Sequence, residues 1–467
     1  MNNAVIRACI GLALLVPFAS AQTTCASIGA NPATSNWYVD ATATNPSATG
    51  SKADPFPNLS VAYLLADDND RIFVAPGTYA PSTGETFPLQ WGSSATVSQL
   101  NIEIIGTGGA AATILDGENL TSGFGILRFR RLASGAKLRG FTITNYSGTL
   151  GAIRLGSTSS GFEAHDVEIS HCVIRDSAAS GIATFGASES LKIHSNLFLN
   201  NGDNAVWLSD ISSNTNPCSG ARAGGEVYNN TFDGNQNGIR VQGGTWSIYN
   251  NVFTNSTANG IFDFGLAGFP AALGAYTLDH NCFFGNGTDL GGGLAAGPNA
   301  VFANPAYVGV GDYHLSAGSP CVDAGRTVPN WVESDMDSDP RNVGGSIDIG
   351  ADELNDVSHF VSPASLALPA VTFDVSGPAG DLVLRAYSFA PGNTNFPAQG
   401  NLLLDFAQAT ILDAVAAQIP ASGTLTLPIS LVGLSPAAIG LPIWSQAFVT
   451  GPSSQRFTNS RLTVICP

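Results

Sequence analysis

Between residues 167 and 286 apolar and polar positions recur with neither the 3.6-residue period of a helix nor the two-residue period of a single strand. "VEISHCVIRDSAASGI" (167–182), "LKIHSNLFLNNGDNAV" (191–206), "EVYNNTFDGNQNGI" (226–239), "SIYNNVFTNSTANGI" (247–261) and "TLDHNCFFGN" (277–286) align into columns. An aliphatic column holds Ile169, Ile193, Val227, Ile248 and Leu278, followed three places on by Cys172, Asn196, Asn230, Asn251 and Asn281. Two places further stand Ile174, Phe198, Phe232, Phe253 and Phe283, and then Ile182, Val206, Ile239 and Ile261, three of them behind a glycine. Self-similarity over 20–50 residues marks a stacked architecture in which each unit buries its apolar face only against its neighbours.

Aliphatic and aromatic columns one coil apart stack at the ~4.8 Å strand spacing and form a continuous core. The asparagine column is expected to take the left-handed conformation of a tight bend and to bond from amide to amide along the stack. Glycine before isoleucine is expected to make a second bend. The sum is an all-β chain: a right-handed, single-stranded parallel β-helix of about ten coils. Spacings of 24, 34, 21 and 30 residues along the asparagine column leave long corner loops at 212–225 and 265–275. Loops on a rigid scaffold are frequent binding positions.

After Glu353 the texture changes to Pro- and Ala-rich sequence with strand-like runs such as "DLVLRAYSF" and "GTLTLPISLV". These read as a small antiparallel β-sandwich. The expected divisions are a signal peptide over 1–21, first coils with a covering segment over 22–100, the β-helix over 101–353 and the C-terminal domain over 354–467.

Composition sharpens this picture at three points. Arg7, the apolar "ACIGLALLVPFA" and the small-residue "ASA" before Gln22 read as a secretory signal peptide too short to span a bilayer. No later segment reads as a membrane helix, so the mature chain is expected outside the cell or at its surface, as a monomer. The net charge of −17 argues against a nucleic-acid partner. Removing the leader leaves six of the seven cysteines, and a Cys282–Cys321 disulfide is expected to tie the last clear coil to "GSPC".

The stretch "WYVDATATNPSATGSKADPFPNLSVAYLLADDNDRIFVAPGTY" (37–79) resembles the N-terminal segment of a family of secreted bacterial β-helix proteins of unassigned function in the pectin-lyase-like superfamily. "GDYHLSAGSPCVDAG" (311–325) and "DMDSDPRNVGGSIDIGADE" (335–353) are similar to the last coils of such proteins. The resemblance implies the fold and leaves activity open, because the superfamily holds lyases, hydrolases, epimerases and non-enzymes.

The glycosidase strings Gly-His-Gly and Arg-x-Lys and the epimerase-type Asp-Pro-His-Glu do not occur, and Lys137 and Lys192 are the only lysines between 101 and 350. His171 and His280 fall just before the tight bend, beside Ser195, Asn229 and Asn250, where a hydrogen-bonded corner is the expectation. Asp335, Asp337 and Asp339 alternate in "DMDSDPR" as candidate oxygen ligands for Ca²⁺, against the simpler reading of a solvated turn. Strand alternation puts the residue after each inward Ile or Val on the outside: Arg154, Ala183, Trp207, Arg240 and Phe262. Aromatics beside arginines suit sugar rings and carboxylates. The favoured function is a non-catalytic exported protein binding polysaccharide, and the alternative is a lyase or glycoside hydrolase acting on acidic polysaccharide. Mass spectrometry of the exported protein is expected to find Gln22 at its N-terminus, and a chain beginning at Met1 refutes the leader.

Overall fold

The computed structural model describes residues 34–92, 98–157, 162–210, 223–265, 274–316, 318–328, 334–337, 341 and 346–354, and parts of 358–464. The leader, Cys25, Cys218, Cys466, Asp339 and most of both long corner loops lie outside the described residues.

Nine parallel strands stack into sheet I, eight into sheet II and eight into sheet III, so the chain winds as a right-handed parallel β-helix. One coil shows the plan: Leu191–His194 in sheet I, a tight corner, Leu197–Leu199 in sheet II, a second corner, then Asn204–Ser209 in sheet III. The sequence columns are the registers. Ile169, Ile193, Val227, Ile248 and Leu278 pair in succession on sheet I. Ile174, Phe198, Phe232, Phe253 and Phe283 do so on sheet II. The phenylalanine rings stack nearly parallel at 4.7, 4.7 and 5.2 Å. Each fully buried ring of this kind contributes about 2 kcal/mol relative to exposure.

Two local expectations change. The left-handed conformation falls one residue before the asparagines, on His171, Ser195, Asn229, Asn250 and His280, with φ from 47° to 53°. The bend takes the outward-facing residue, which frees the next side chain to point inward. Asn196, Asn230, Asn251 and Asn281 then form an internal ladder, each Nδ2 donating to the next Oδ1 at 3.0 Å. Each Oδ1 also accepts a backbone N–H from the coil before it, and each Nδ2 also donates to a backbone carbonyl there. A second amide contact, Asn201 to Asn235 at 2.9 Å, lines the next corner. The glycines before isoleucine make room rather than a bend: a Cβ on Gly238 would lie 2.6 Å from Phe253 Cδ1.

After residue 291 a parallel bridge of Cys282 to Val301 adds one more rung, with Phe302 stacked on Phe283 at 5.6 Å. An antiparallel hairpin, Tyr307–Gly309 with Asp312–Leu315, follows. The described residues between Cys321 and Leu354 then form a strap along the corner between sheets I and II. His171 Nε2 meets Ser334 Oγ at 3.0 Å, and Arg341 donates to Ser195 Oγ at 3.4 Å. Ala351 N–H donates to Thr231 Oγ1 at 3.1 Å and Gly350 N–H to Asn250 O at 3.0 Å, so this strap touches four coils. Under it, burial first, then the nearby cations, push the His171 imidazole down to about 3.

Parallel pairing begins with Asn36–Val39 against Arg71–Val74, ahead of residue 101. The short helix Leu59–Leu65 buries Leu59 and Ala62 in the main core, and Glu85 accepts its first two N–H groups at 2.7 and 2.9 Å. No described helix is long and apolar enough to cross a membrane. Beyond residue 358 the strands are antiparallel, and Phe373 and Val375 from one sheet pack with Val383, Ala447 and Val449 from another.

The expected Cys282–Cys321 disulfide is not formed. Both are buried thiols in one apolar cluster, within hydrogen-bond reach of each other. The inference from chain position was right about proximity, and Cys282 Sγ donates instead to Ala303 O at 3.4 Å.

Asn230→Ala removes one rung and strands donors and acceptors on both neighbouring coils, so a loss of about 3 kcal/mol is expected in chemical denaturation. A variant as stable as the parent would show that the ladder contributes nothing.

Candidate functional site

The outward positions of sheet III form one register line: Gln90, Arg128, Arg154, Ala183, Trp207, Arg240, Phe262 and Gly291. The inward neighbours Ile153, Ile182, Val206, Ile239 and Ile261 are fully buried, which turns the intervening residues outward. Trp207, Arg240 and Phe262 are half-buried, whereas Arg154 is buried and Ala183 completely so.

Cations and rings interleave along this face. Arg128 lies over Phe124 at 5.0 Å, Arg130 over Phe162 at 4.8 Å and Arg154 over Phe185 at 4.7 Å. Arg240 sits between Trp207 at 4.5 Å and Phe264 at 3.7 Å. Phe124, Phe162 and Phe264 are 45%, 40% and 58% exposed. Gln242 Oε1 accepts from both Trp207 Nε1 and Arg240, at 3.1 and 3.3 Å, and so fixes that pair.

These four arginines make no ion pair among the described residues, and the buried Nε of each has no partner. Arg154 donates to Gly123 O at 3.0 Å and Arg128 to Gln90 at 3.4 Å. Burial, and then repulsion from Arg154 and Arg130, pulls Arg128 down to about 9. Burial also lowers Arg130, Arg154 and Arg240.

Sheet I handles its charges in the opposite way. Its outward line reads Arg71, Glu103, Lys137, Glu168, Lys192, Glu226, alternating in sign from coil to coil. Arg71 and Lys137 lie 3.1 and 3.7 Å from Glu103 and Glu168. In a chain of net charge −17, carboxylates are available, yet these arginines form no ion pair among the described residues, and Asp203 acts on Arg240 only from a distance.

The sequence reading reached Arg154, Trp207, Arg240 and Phe262 but not Arg128, Arg130, Phe124, Phe162, Phe185 or Phe264. "GILR" (125–128) matches "GAIR" (151–154), so the column extended one coil upstream through Arg128. The flanking rings hold no repeat position that marks them.

Of the three aspartates of "DMDSDPR", Asp339 lies outside the described residues, and Asp335 and Asp337 face different partners. Both Asp335 oxygens accept backbone N–H groups, from Asp337 at 2.9 Å and Glu353 at 3.0 Å, and burial raises its pKa. Arg341 donates to the carbonyls of Gly350, Ala351 and Asp352 at 3.0, 2.5 and 3.1 Å. Asp337 instead faces His314, with Asp337 Oδ2 2.7 Å from His314 Nε2.

The chain belongs to the family described as "Protein of unknown function (DUF1565)", whose model matches residues 42–305. No curated protein matches it. Among solved structures it is similar to the pectate lyase Pel9A, at 12% identity and TM-score 0.31 over 70% of this chain and 98% of that one. It is also similar to the PL6 family alginate lyase AlyGC, at 14% identity and TM-score 0.30 over 55% and 40%. A rhamnogalacturonan lyase matches at 14% identity and TM-score 0.27 over 58% and 65%.

A buried cation without an anionic partner destabilises the fold that holds it. Arg128→Met is therefore expected to stabilise the protein by about 1 kcal/mol at low salt, read as a higher denaturation midpoint. A loss of similar size would show that Arg128 is held for structure.

Proposed function

We propose that this protein is exported and binds an acidic polysaccharide along sheet III without cleaving it. The observation that carries this reading is the unneutralised arginine line of sheet III, set against the sign-alternating line of sheet I in the same acidic molecule. Arginine suits carboxylate or sulfate through paired N–H donors. Indole and phenyl faces between the guanidinium groups offer flat apolar surface for sugar rings. The stripe is linear, one position per coil, which suits a polymer better than a compact anion. A leader-like N-terminus supports export.

The second reading is cleavage of the same class of polymer by a lyase or hydrolase. Arg128 favours it, because a guanidinium drawn down to about 9 is a better proton acceptor than an ordinary one.

Binding to polyuronate and to neutral glycans, with product analysis, tests both. Trp207→Ala is expected to weaken every glycan, because it removes the stacking surface. Arg240→Ala is expected to erase the preference for acidic chains, a loss of roughly tenfold or more on polyuronate for a charge-assisted bond. Equal binding of acidic and neutral chains by the parent protein would end the proposal. New ultraviolet absorbance from unsaturated ends, lost in Arg128→Met, would replace it with the lyase reading.

A further inference from the structure

Away from sheet III, three ligand-type side chains converge from three separate stretches of chain. His314 comes from the hairpin strand Asp312–Leu315, Asp337 from the start of the strap's return and Asp352 from its end. One donor atom from each lies within 4.8 Å of the other two. Shifts of about 1 Å would place all three around a single ion at the ~2.0–2.2 Å distances typical of imidazole and carboxylate ligands.

The surroundings of each group favour a prepared site over a chance meeting. Asp352 is 4% exposed, and one of its oxygens accepts the Leu315 N–H at 2.6 Å, which aims the carboxylate at the hairpin. The backbone on either side is rigid: Arg341 holds the carbonyls of residues 350, 351 and 352, and Gly350 N–H donates to Asn250 O on the solenoid. His314 turns Nε2 toward Asp337 while Nδ1 bonds to Asp312, two residues earlier on the same strand face. A metal-bound imidazole is usually oriented in this way, with its second nitrogen held by a carboxylate outside the coordination shell. Half of the His314 side chain is exposed, which gives an ion a path in and leaves room for water as a further ligand.

We propose that His314, Asp337 and Asp352 bind one divalent transition-metal ion of the zinc class, which fastens the strap to the hairpin. The imidazole decides the class: calcium and magnesium prefer all-oxygen shells, whereas one nitrogen with two carboxylates suits zinc, manganese or cobalt. This differs from calcium on alternating aspartates, since Asp335 is engaged with backbone N–H groups and only Asp337 is common to both. It is also independent of polysaccharide binding, because none of the three residues lies on sheet III.

The test titrates Zn²⁺ alone into the full chain after chelator treatment, by calorimetry, and follows the melting temperature. One equivalent is expected to bind with a rise in melting temperature, and His314→Ala is expected to lose both. Asp312→Asn leaves all three ligands in place and is expected to bind roughly 10–100-fold more weakly. Co²⁺ in place of zinc is expected to give visible ligand-field bands in the parent protein that are absent in His314→Ala. Equal zinc uptake by the parent and His314→Ala overturns the site, displacement of zinc by excess Ca²⁺ overturns the assigned class, and uptake without a melting shift overturns the fastening role. Because His314 is half-exposed, His314→Ala is expected to fold, and unchanged circular dichroism in the chelated state checks this.

Discussion

Every feature of this molecule depends on in-register stacking of one coil on the next at ~4.8 Å. Apart from one register shift between Asp116 and Leu120, parallel pairing puts each side chain directly against its equivalent one coil away, so the sequence is selected column by column. Residues that tolerate their own kind do well in such a column. Phenylalanine stacks on phenylalanine, and asparagine, carrying both donor and acceptor, continues a ladder without an unpaired end between rungs. Glycine earns its column by letting Phe253 approach, and no larger residue fits there. Charge is the exception, because like charges one coil apart repel. Sheet I resolves this by alternating sign, and Arg128 on Arg154 in sheet III does not resolve it at all.

The columns were legible in the sequence for the same reason: stacked equivalents leave a repeat that alignment recovers without knowing the fold. Even there, the left-handed residue proved to be Asn229 rather than Asn230, because the sequence gives composition at a bend but not which of two asparagines faces inward. The strap was not legible. Its partners lie 76 to 163 residues upstream, from Asn250 on Arg326 to His171 on Ser334, and no period connects them. For the same reason Asp337 was visible as a ligand candidate while its companions His314 and Asp352 were not. Proximity of Cys282 and Cys321 followed from chain order, but the state of their sulfurs did not.

The strap also accounts for residues that a bare solenoid would not place on its surface. His194, Tyr228 and Tyr249 occupy successive outward positions of sheet I and are almost fully buried, with Tyr228 stacked on His194 at 4.9 Å and on Tyr249 at 5.1 Å. Val328 and Ile347 of the strap complete that cluster. Burying so many polar groups is costly unless each finds a partner. Arg341 supplies several at once, donating to three strap carbonyls and to Ser195 on the solenoid. One buried guanidinium thus joins the strap to itself and to the coils. By taking the corner between sheets I and II, the strap leaves Trp207, Arg240 and Phe262 of sheet III partly exposed.

The geometry of that remaining face limits what can occupy it. Arg128 and Arg154 are one coil apart and both buried, whereas Arg240 lies three coils beyond Arg154, about 14 Å away by strand spacing. A single carboxylate or sulfate cannot reach both ends, and neutralising only the Arg128–Arg154 pair would leave Arg240 and its two rings unused. Between them the line carries the buried Ala183 and the half-buried Trp207, neither of them charged, and only Trp207 offers apolar surface. On the proposed reading, an extended chain bearing negative charge at intervals lays a sugar ring over Trp207 and anionic groups toward the arginines at either end. On that reading the Arg128–Arg154 pair, Trp207 and Arg240 are one site, because only a ligand spanning the five coils from Arg128 to Arg240 engages every part of it.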